Sequence, residues 1–410
     1  MNYKIFAPQR VIGEIAIPAS KSISNRALIL NALEETSAQL RNVAVCNDTD
    51  AMVNALAKKE TARVDIGAAG TAMRFLTAYL SVQEDRTVVI DGTQRMRQRP
   101  IGILVDALRS CGANIEYIGS EGFPPLKIRG RKLKTKVLSI PGNVSSQYIS
   151  ALLMVSPLIE ELERITLTGE VISRPYIDMT LALMQQFGVE TKWDNNDILL
   201  KKGSHYKSVD FLIENDWSAA SYWFQIQALL PMSKVTLLGL FAQSVQGDSA
   251  VARLFEDFGI QANRCGAYLD LRTGELPKER IEMNLIDNPD LAQTIVVTAC
   301  LLDLPFNISG LQTLKIKETD RIEALRTQLL KLGYVIKVSA DYSLSWDGEK
   351  VAVSDRIEIE TYDDHRMAMA FAPASVKFPG ILIKDVDVVK KSYPDYWKHL
   401  SAVGFRIEED

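Results

Sequence analysis

Histidine and cysteine are scarce in this chain, with three and four copies among 410 residues. His205, His365 and His399 form no HExxH pair or cluster, and Cys46, Cys111, Cys265 and Cys300 contain no CxxC. Neither a protein-ligated metal nor a disulfide framework is therefore expected, and no cofactor. The four thiols read as small buried apolar residues in a reducing compartment. No apolar run is long enough to span a membrane, and Met1-Asn2-Tyr3-Lys4 lacks the apolar core of a signal peptide. An excess of positive charge is also missing: 47 Lys and Arg face 51 Asp and Glu, a net charge of -4. Nucleic acid is not an expected partner, and any basic site must be local. What remains is a cytoplasmic globular protein, 47% hydrophobic and too long for one ordinary core.

The chain is rich in repetition. An amphipathic helix ending at a glycine, followed by a short strand, recurs around Gly112, Gly188, Gly259, Gly333 and Gly404, spaced 76, 71, 74 and 71 residues apart. Glycine after the last helical turn suits a left-handed cap. A second phrase, a polar or Gly-rich turn opening an almost wholly apolar helix, starts near Ser22, Thr71, Ser146, Ala219, Leu291 and Arg366. Helices apolar on every side imply burial on every side. Strand-like runs lie between: Thr87–Ile90, Arg164–Leu167, Lys234–Leu237 and Phe306–Ile308. Six α/β (α+β) units fit. The first is shortened, because Gly70 follows Leu56 by only fourteen residues where Ser145 follows Leu108 by thirty-seven. A strand pair is expected to be missing there.

Charge stands at the mouths of the buried helices. Ser20-Lys21-Ser22-Ile23-Ser24-Asn25-Arg26 opens the first, with Ser20 or Ser22 as cap and no acid before Glu34. A helix N-terminus disfavours cations, so Lys21 and Arg26 sit there at a cost that an external anion would offset. The Gly-rich turn Gly67-Ala68-Ala69-Gly70 precedes Thr71 and Arg74, and Arg95, Arg97 and Arg99 follow. Asn143-Val144-Ser145-Ser146-Gln147 and Ser173-Arg174-Pro175-Tyr176 open further helices, where each serine is equally well an ordinary cap. Asp290 reads as a good cap, and Thr319 as a cap beside Lys317, Glu318 and Arg321. Arg366 and Lys391 complete the series. The recurrence of cations at equivalent entrances favours binding of more than one phosphate or carboxylate over a set of merely solvated faces.

At these residues the sequence resembles the enolpyruvyl transferases, and within them the branch whose acceptor is shikimate 3-phosphate. The resemblance runs through Ser20–Arg26, Gly70–Arg74, Arg99–Gly102, Ser145–Gln147, Ser173–Asp178, Lys317–Arg321, Asp364–Met369 and Lys391–Tyr396. It implies six βαβαββ-like units, three per domain, with crossings near residues 20 and 214: domain I from 1–20 plus 214–410, domain II from 21–213, and the active site in the cleft between them. It also implies transfer of the enolpyruvyl group of phosphoenolpyruvate to the 5-hydroxyl of shikimate 3-phosphate, by addition and elimination of phosphate, in a monomer. By matched position, Lys21, Gly70, Thr71, Arg99, Gln147 and Lys391 would hold phosphoenolpyruvate through its phosphate side, and Arg321 and Arg366 its carboxylate. Ser145, Ser146, Ser173, Lys317, Thr313 and Gln147 would serve the acceptor's phosphate side, with Lys21, Ser22, Arg26 and Tyr176 along its ring. Lys21, Asp290 and Glu318 would carry the proton transfers.

Three positions depart from the family pattern. Ala68 stands where Asn is usual, Thr313 where Asn is expected, and Phe75 where Pro follows the arginine. With the shortened first unit, they imply an altered phosphoenolpyruvate subsite and altered sensitivity to glyphosate, which binds there in the family. Two other readings remain open at this point. The branch acting on UDP-N-acetylglucosamine usually has a reactive Cys, sometimes Asp, in a mobile loop, and Arg95–Arg99 has none. A non-catalytic anion-binding paralogue would retain the charges without turnover.

Overall fold

The computed structural model describes residues 1–34, 38–57, 61–266, 268–274 and 278–410. Its helices are α1 (Lys21–Glu34), α2 (Asn47–Ala57), α3 (Gly70–Ser81), α4 (Gly102–Ser110), α5 (Ser146–Val155), α6 (Arg174–Gln186), α7 (Trp217–Leu229), α8 (Val251–Leu254), α9 (Ala292–Leu301), α10 (Arg321–Lys331), α11 (His365–Phe371) and α12 (Tyr396–Ala402). The chain folds into two compact bodies. Domain I is Met1–Pro18 with Glu214–Asp410, and domain II is Ala19–Ile213. Ser20 goes with domain II because its hydroxyl caps α1.

One topology recurs. In domain II, Arg63–Asp65 runs parallel to Thr87–Asp91, which pairs antiparallel with Leu126–Arg129, itself antiparallel to Asn114–Tyr117. The same parallel–antiparallel–antiparallel order joins Val137–Pro141, Arg164–Thr168, Asp197–Leu200 and Thr191–Asp194. In domain I it joins Ile12–Ala16, Lys234–Leu238, Tyr268–Thr273 and Ile260–Cys265. It returns in Ile281–Asn284, Phe306–Ser309, Leu344–Trp346 and Lys337–Val338. The last sheet places Glu358–Ile359 beside Ile381–Ile383, then Tyr3–Phe6, then Arg406–Glu409. Its third strand, Tyr3–Phe6, thus comes from the first segment of domain I.

The first repeat of domain II has only the parallel pair among the described residues: Phe211–Leu212 beside Leu40–Arg41, with α1 and α2. The antiparallel pair is the part that is missing there; residues 58–60 of the shortened stretch lie outside the described residues.

The apolar helices are the cores. All of α3, α9 and α11 is buried, and so is α7 apart from Ser218. In domain II α1, α3 and α5 pack together, and in domain I α7, α9 and α11 do so. Sheets cover them from outside, as apolarity on every side requires. The five expected glycine stops all adopt left-handed backbone, at φ 94° for Gly112, 94° for Gly188, 76° for Gly259, 89° for Gly333 and 103° for Gly404. Cys46, Cys111 and Cys300 are buried, but Cys265 is exposed: it ends a hairpin strand with its side chain outward. No helix among the described residues is long and apolar enough to cross a membrane.

Candidate active site: two sets of anion-binding side chains

In domain II the mouths of α1, α3, α5 and α6 gather the first set. Ser20 Oγ accepts the Ile23 N–H at 3.4 Å, which makes Ser20 the cap and leaves Ser22 half-buried. Lys21 Nζ lies 3.0 Å from Asp48 Oδ2, and Asp48 is 3% exposed in the first turn of α2. Arg26 lies deeper in α1. It is 3% exposed and donates from Nε to Thr180 Oγ1 at 2.7 Å and from Nη2 to Ser150 Oγ at 3.0 Å. It also reaches the carbonyls of Ser22 and Tyr176, with its guanidinium 5.3 Å from the centre of the Phe75 ring. Among the described residues none of these partners is a carboxylate. Burial pulls its pKa down to about 10, so the side chain stays charged at neutral pH without a counter-ion of its own.

The Gly-rich turn brings a second guanidinium inward. Gly67 (φ 57°) donates to Asp65 Oδ1 at 2.9 Å, and Arg99 lies flat against Gly70. A Cβ at position 70 would stand 2.6 Å from Arg99 Nη1, so only glycine admits that packing. Gln147 Nε2 donates to Thr71 Oγ1 at 3.2 Å, joining α5 to α3. Arg74 donates to the carbonyls of Gly70 and Pro100 and braces the turn. The three-arginine loop separates by role: Arg97 makes a two-pronged bond to Asp91 at 2.9 and 2.7 Å, Arg95 is exposed, and Arg99 is buried. Ser145 caps α5 by accepting from Gln147 N–H at 3.4 Å, and Ser146 beside it is half-buried. Ser173 is no cap. It takes a left-handed backbone (φ 53°, ψ 36°) with its side chain 4% exposed, a conformation that costs a non-glycine residue about 1–2 kcal/mol. Tyr176, in the first turn of α6, is half-buried.

In domain I the mouths of α9, α10 and α11 gather the second set. Asp290 Oδ1 lies 3.1 Å from Arg321 Nη1 and 3.4 Å from Lys317 Nζ, and Oδ2 lies 2.9 Å from Arg366 Nη2. Glu318 pairs with Arg321 Nη2 at 3.1 Å and with Lys391 Nζ at 2.9 Å. Asp364 holds Arg321 Nε at 2.6 Å and caps α11 through the Arg366 N–H at 2.9 Å. Arg321 is 1% exposed, Asp364 0%, and Arg366 and Lys391 are buried as well. Burial alone would raise the Asp290 carboxyl, but Arg366, Lys317 and Arg321 outweigh it and hold it well below the usual carboxylate range. Burial pushes the Tyr222 phenol up to about 12, and it stays neutral beneath this cluster.

Two cap readings are corrected here. Asp290 does not cap a helix: its oxygens are taken by three cations, and Asn288 stands at the start of that turn. Nor does Thr319 cap α10. Asp320 Oδ1 accepts the Glu323 N–H at 3.2 Å instead, an acid favoured by the helix dipole. The Thr313 hydroxyl is shielded and has no hydrogen-bond partner among the described residues, so it presents no exposed polar atom in place of the expected amide. Asp48 and Asp364 were not singled out by sequence. Their signal was available, an acid in the first turn of one helix and at the mouth of another, but which cation each meets depends on chain segments far apart.

Repeated βαβαββ units with cations drawn to the mouths of buried helices define a two-domain α/β protein built to handle small anions. Comparison with known proteins identifies the group within that class. The family model described as EPSP synthase (3-phosphoshikimate 1-carboxyvinyltransferase) matches residues 5–58 and 55–400. The 3-phosphoshikimate 1-carboxyvinyltransferase of Bacteroides fragilis strain YCH46 is 50% identical over 408 residues, covering 100% of this chain and 99% of that one. Its counterpart in Vibrio campbellii is 37% identical, covering 96% and 97%. The solved EPSP synthase of Acinetobacter baumannii superposes with a TM-score of 0.76 at 21% identity over 100% of both chains, a likeness of fold. The chain belongs to the EPSP synthase family.

Proposed function

We propose that this protein transfers the enolpyruvyl group of phosphoenolpyruvate to the 5-hydroxyl of shikimate 3-phosphate, releasing inorganic phosphate. Family membership at 50% identity over the whole chain supports the reaction. The observation that carries the chemistry is the cation set at the helix mouths, Lys21 and Arg99 in domain II and Lys317, Arg321, Arg366 and Lys391 in domain I. Such groups call for anionic ligands, and the two substrates supply phosphates and carboxylates.

In this reading Arg321 and Arg366 take the carboxylate of phosphoenolpyruvate, suited by the guanidinium fork. Lys21, Arg99, Gln147 and Lys391 take its phosphate, beside the Gly70–Thr71 backbone. Ser145, Ser146, Ser173 and Lys317 take the phosphate of the acceptor, and Ser22, Arg26 and Tyr176 its ring. Thr313 adds only apolar contact. An active site that draws on both domains is part of the proposal, as are a monomeric state and a cytoplasmic location.

The 5-hydroxyl oxygen attacks C2 of phosphoenolpyruvate, giving its proton to Asp290 while C3 gains one. In the second half C3 loses that proton, the double bond re-forms, and the C2–O bond to phosphate breaks. Glu318 and Lys21 serve C3. Phosphate release from phosphoenolpyruvate plus shikimate 3-phosphate tests this directly. It is expected in the parent protein and should collapse in Lys21→Ala and in Glu318→Ala. Full turnover in both variants would sink the assignment, and product with UDP-N-acetylglucosamine instead would favour the other branch of the fold.

A further inference from the structure

The carboxylates assigned to proton transfer are the same groups that neutralise the cations assigned to substrate. Asp290 takes one oxygen to Arg321 and Lys317 and the other to Arg366. Glu318 bridges Arg321 and Lys391. Asp364 differs from both, since it is 0% exposed, caps α11 and holds Arg321 from the protein side. It is a fixed partner. Asp290 and Glu318 retain some exposure, with side chains 21% and 13% open.

This arrangement poses a chemical difficulty. A carboxylate held by three cations is a poor base, because taking up a proton means giving up those pairings. Substrate anions need the same N–H groups, and a guanidinium cannot give its full fork to two carboxylates at once. We propose that Asp290 and Glu318 are resident counter-ions of the substrate cations, exchanged for the substrates' own anions on binding, so that each becomes competent for proton transfer only when the anions that replace it are in place: phosphoenolpyruvate for Glu318, both substrates for Asp290. The inference rests on the functional reading above and deepens it. A phosphoenolpyruvate carboxylate would draw Arg366 and Arg321 from Asp290, and its phosphate would draw Lys391 from Glu318. The acceptor's phosphate would draw Lys317. Asp290 answers to both ligands, so each one loosens a pairing against which the other competes. By linkage their affinities are coupled.

The test uses 2-phospholactate, which carries the phosphate and carboxylate of phosphoenolpyruvate without a double bond to react. Removing a resident counter-ion should tighten its binding. Asp290→Asn is expected to bind 2-phospholactate about fivefold or more tightly than the parent, while turnover falls. In the parent, saturating shikimate 3-phosphate should tighten 2-phospholactate binding, and this enhancement should shrink by a similar factor in Asp290→Asn. Glu318→Gln removes the other counter-ion and should likewise tighten 2-phospholactate. It keeps the proposal testable if Asp290→Asn does not melt as a folded protein. Unchanged or weaker 2-phospholactate binding in the folded variants, with the parent turning over normally, would overturn the exchange and leave the functional reading standing. A folded parent that releases no phosphate from the two substrates would overturn both.

Discussion

A methyl group at position 70 would stand 2.6 Å from Arg99 Nη1, so Gly70→Ala must push that guanidinium off the first turn of α3. The expected result is a KM for phosphoenolpyruvate raised about tenfold, with thermal stability little changed, read from steady-state kinetics and a melt. Ala68 is exposed on the same turn, and Ala68→Asn is expected to change inhibition by glyphosate; identical inhibition would count against a role for position 68. Phe75 is a different case. It is fully buried within α3 and carries the Arg26 guanidinium on its ring, so Phe75→Pro would remove both a helical hydrogen bond and that contact. The single Ala68 variant is therefore the cleaner probe. At this scale the sequence announced the cations by their wrong sign at helix entrances, yet it hid their settings. Arg26 and Lys21 looked alike, but one is buried among hydroxyls and carbonyls and the other meets Asp48, because partners from residues 150 and 180 cannot be read from local pattern.

Helix ends separate what local pattern fixes from what it cannot. Glycine stops were legible because left-handed backbone is a local demand, and all five adopt it. Gly112 has open space where a side chain would go, so Gly112→Ala isolates the backbone strain and should cost about 1–2 kcal/mol in denaturant melts. N-caps were less legible, since Thr319 and Asp320 are both good caps side by side and tertiary placement chose the acid. On α12, His399 Nδ1 lies 2.8 Å from the Tyr393 hydroxyl, and burial holds its pKa below the ordinary value. A histidine disfavoured as a cation in the fold contributes stability above its unfolded pKa of about 6.5 and loses it as pH falls. The parent should therefore lose stability between pH 7 and 5, and His399→Asn should flatten that slope in urea melts.

Taken as a molecule, the described residues show one motif five times in full and once in part, a repeat legible in the seventy-residue spacing. What spacing could not show is that the last sheet of domain I is completed by Tyr3–Phe6, between Ile381–Ile383 and Arg406–Glu409. Carboxylates held low across both domains, among them Asp91 and Asp303, which burial would raise but Arg and Lys partners lower, add a second acid loss. Depressed values mean that stability is lost as pH falls below about 5, where unfolded carboxylates begin to protonate. The placement of Tyr3–Phe6 also bears on synthesis. Tyr3–Phe6 must wait for partners beyond residue 380, while the described strands of residues 19–213 pair among themselves. Ribosome-bound chains arrested well past Ile213 should show a protease-resistant domain II, while Tyr3–Phe6 remains cleavable until Ile381–Ile383 and Arg406–Glu409 have emerged. For the span of that delay the nascent chain carries Tyr3–Phe6 unpaired, and its wait is set by domain II together with most of the second half of domain I.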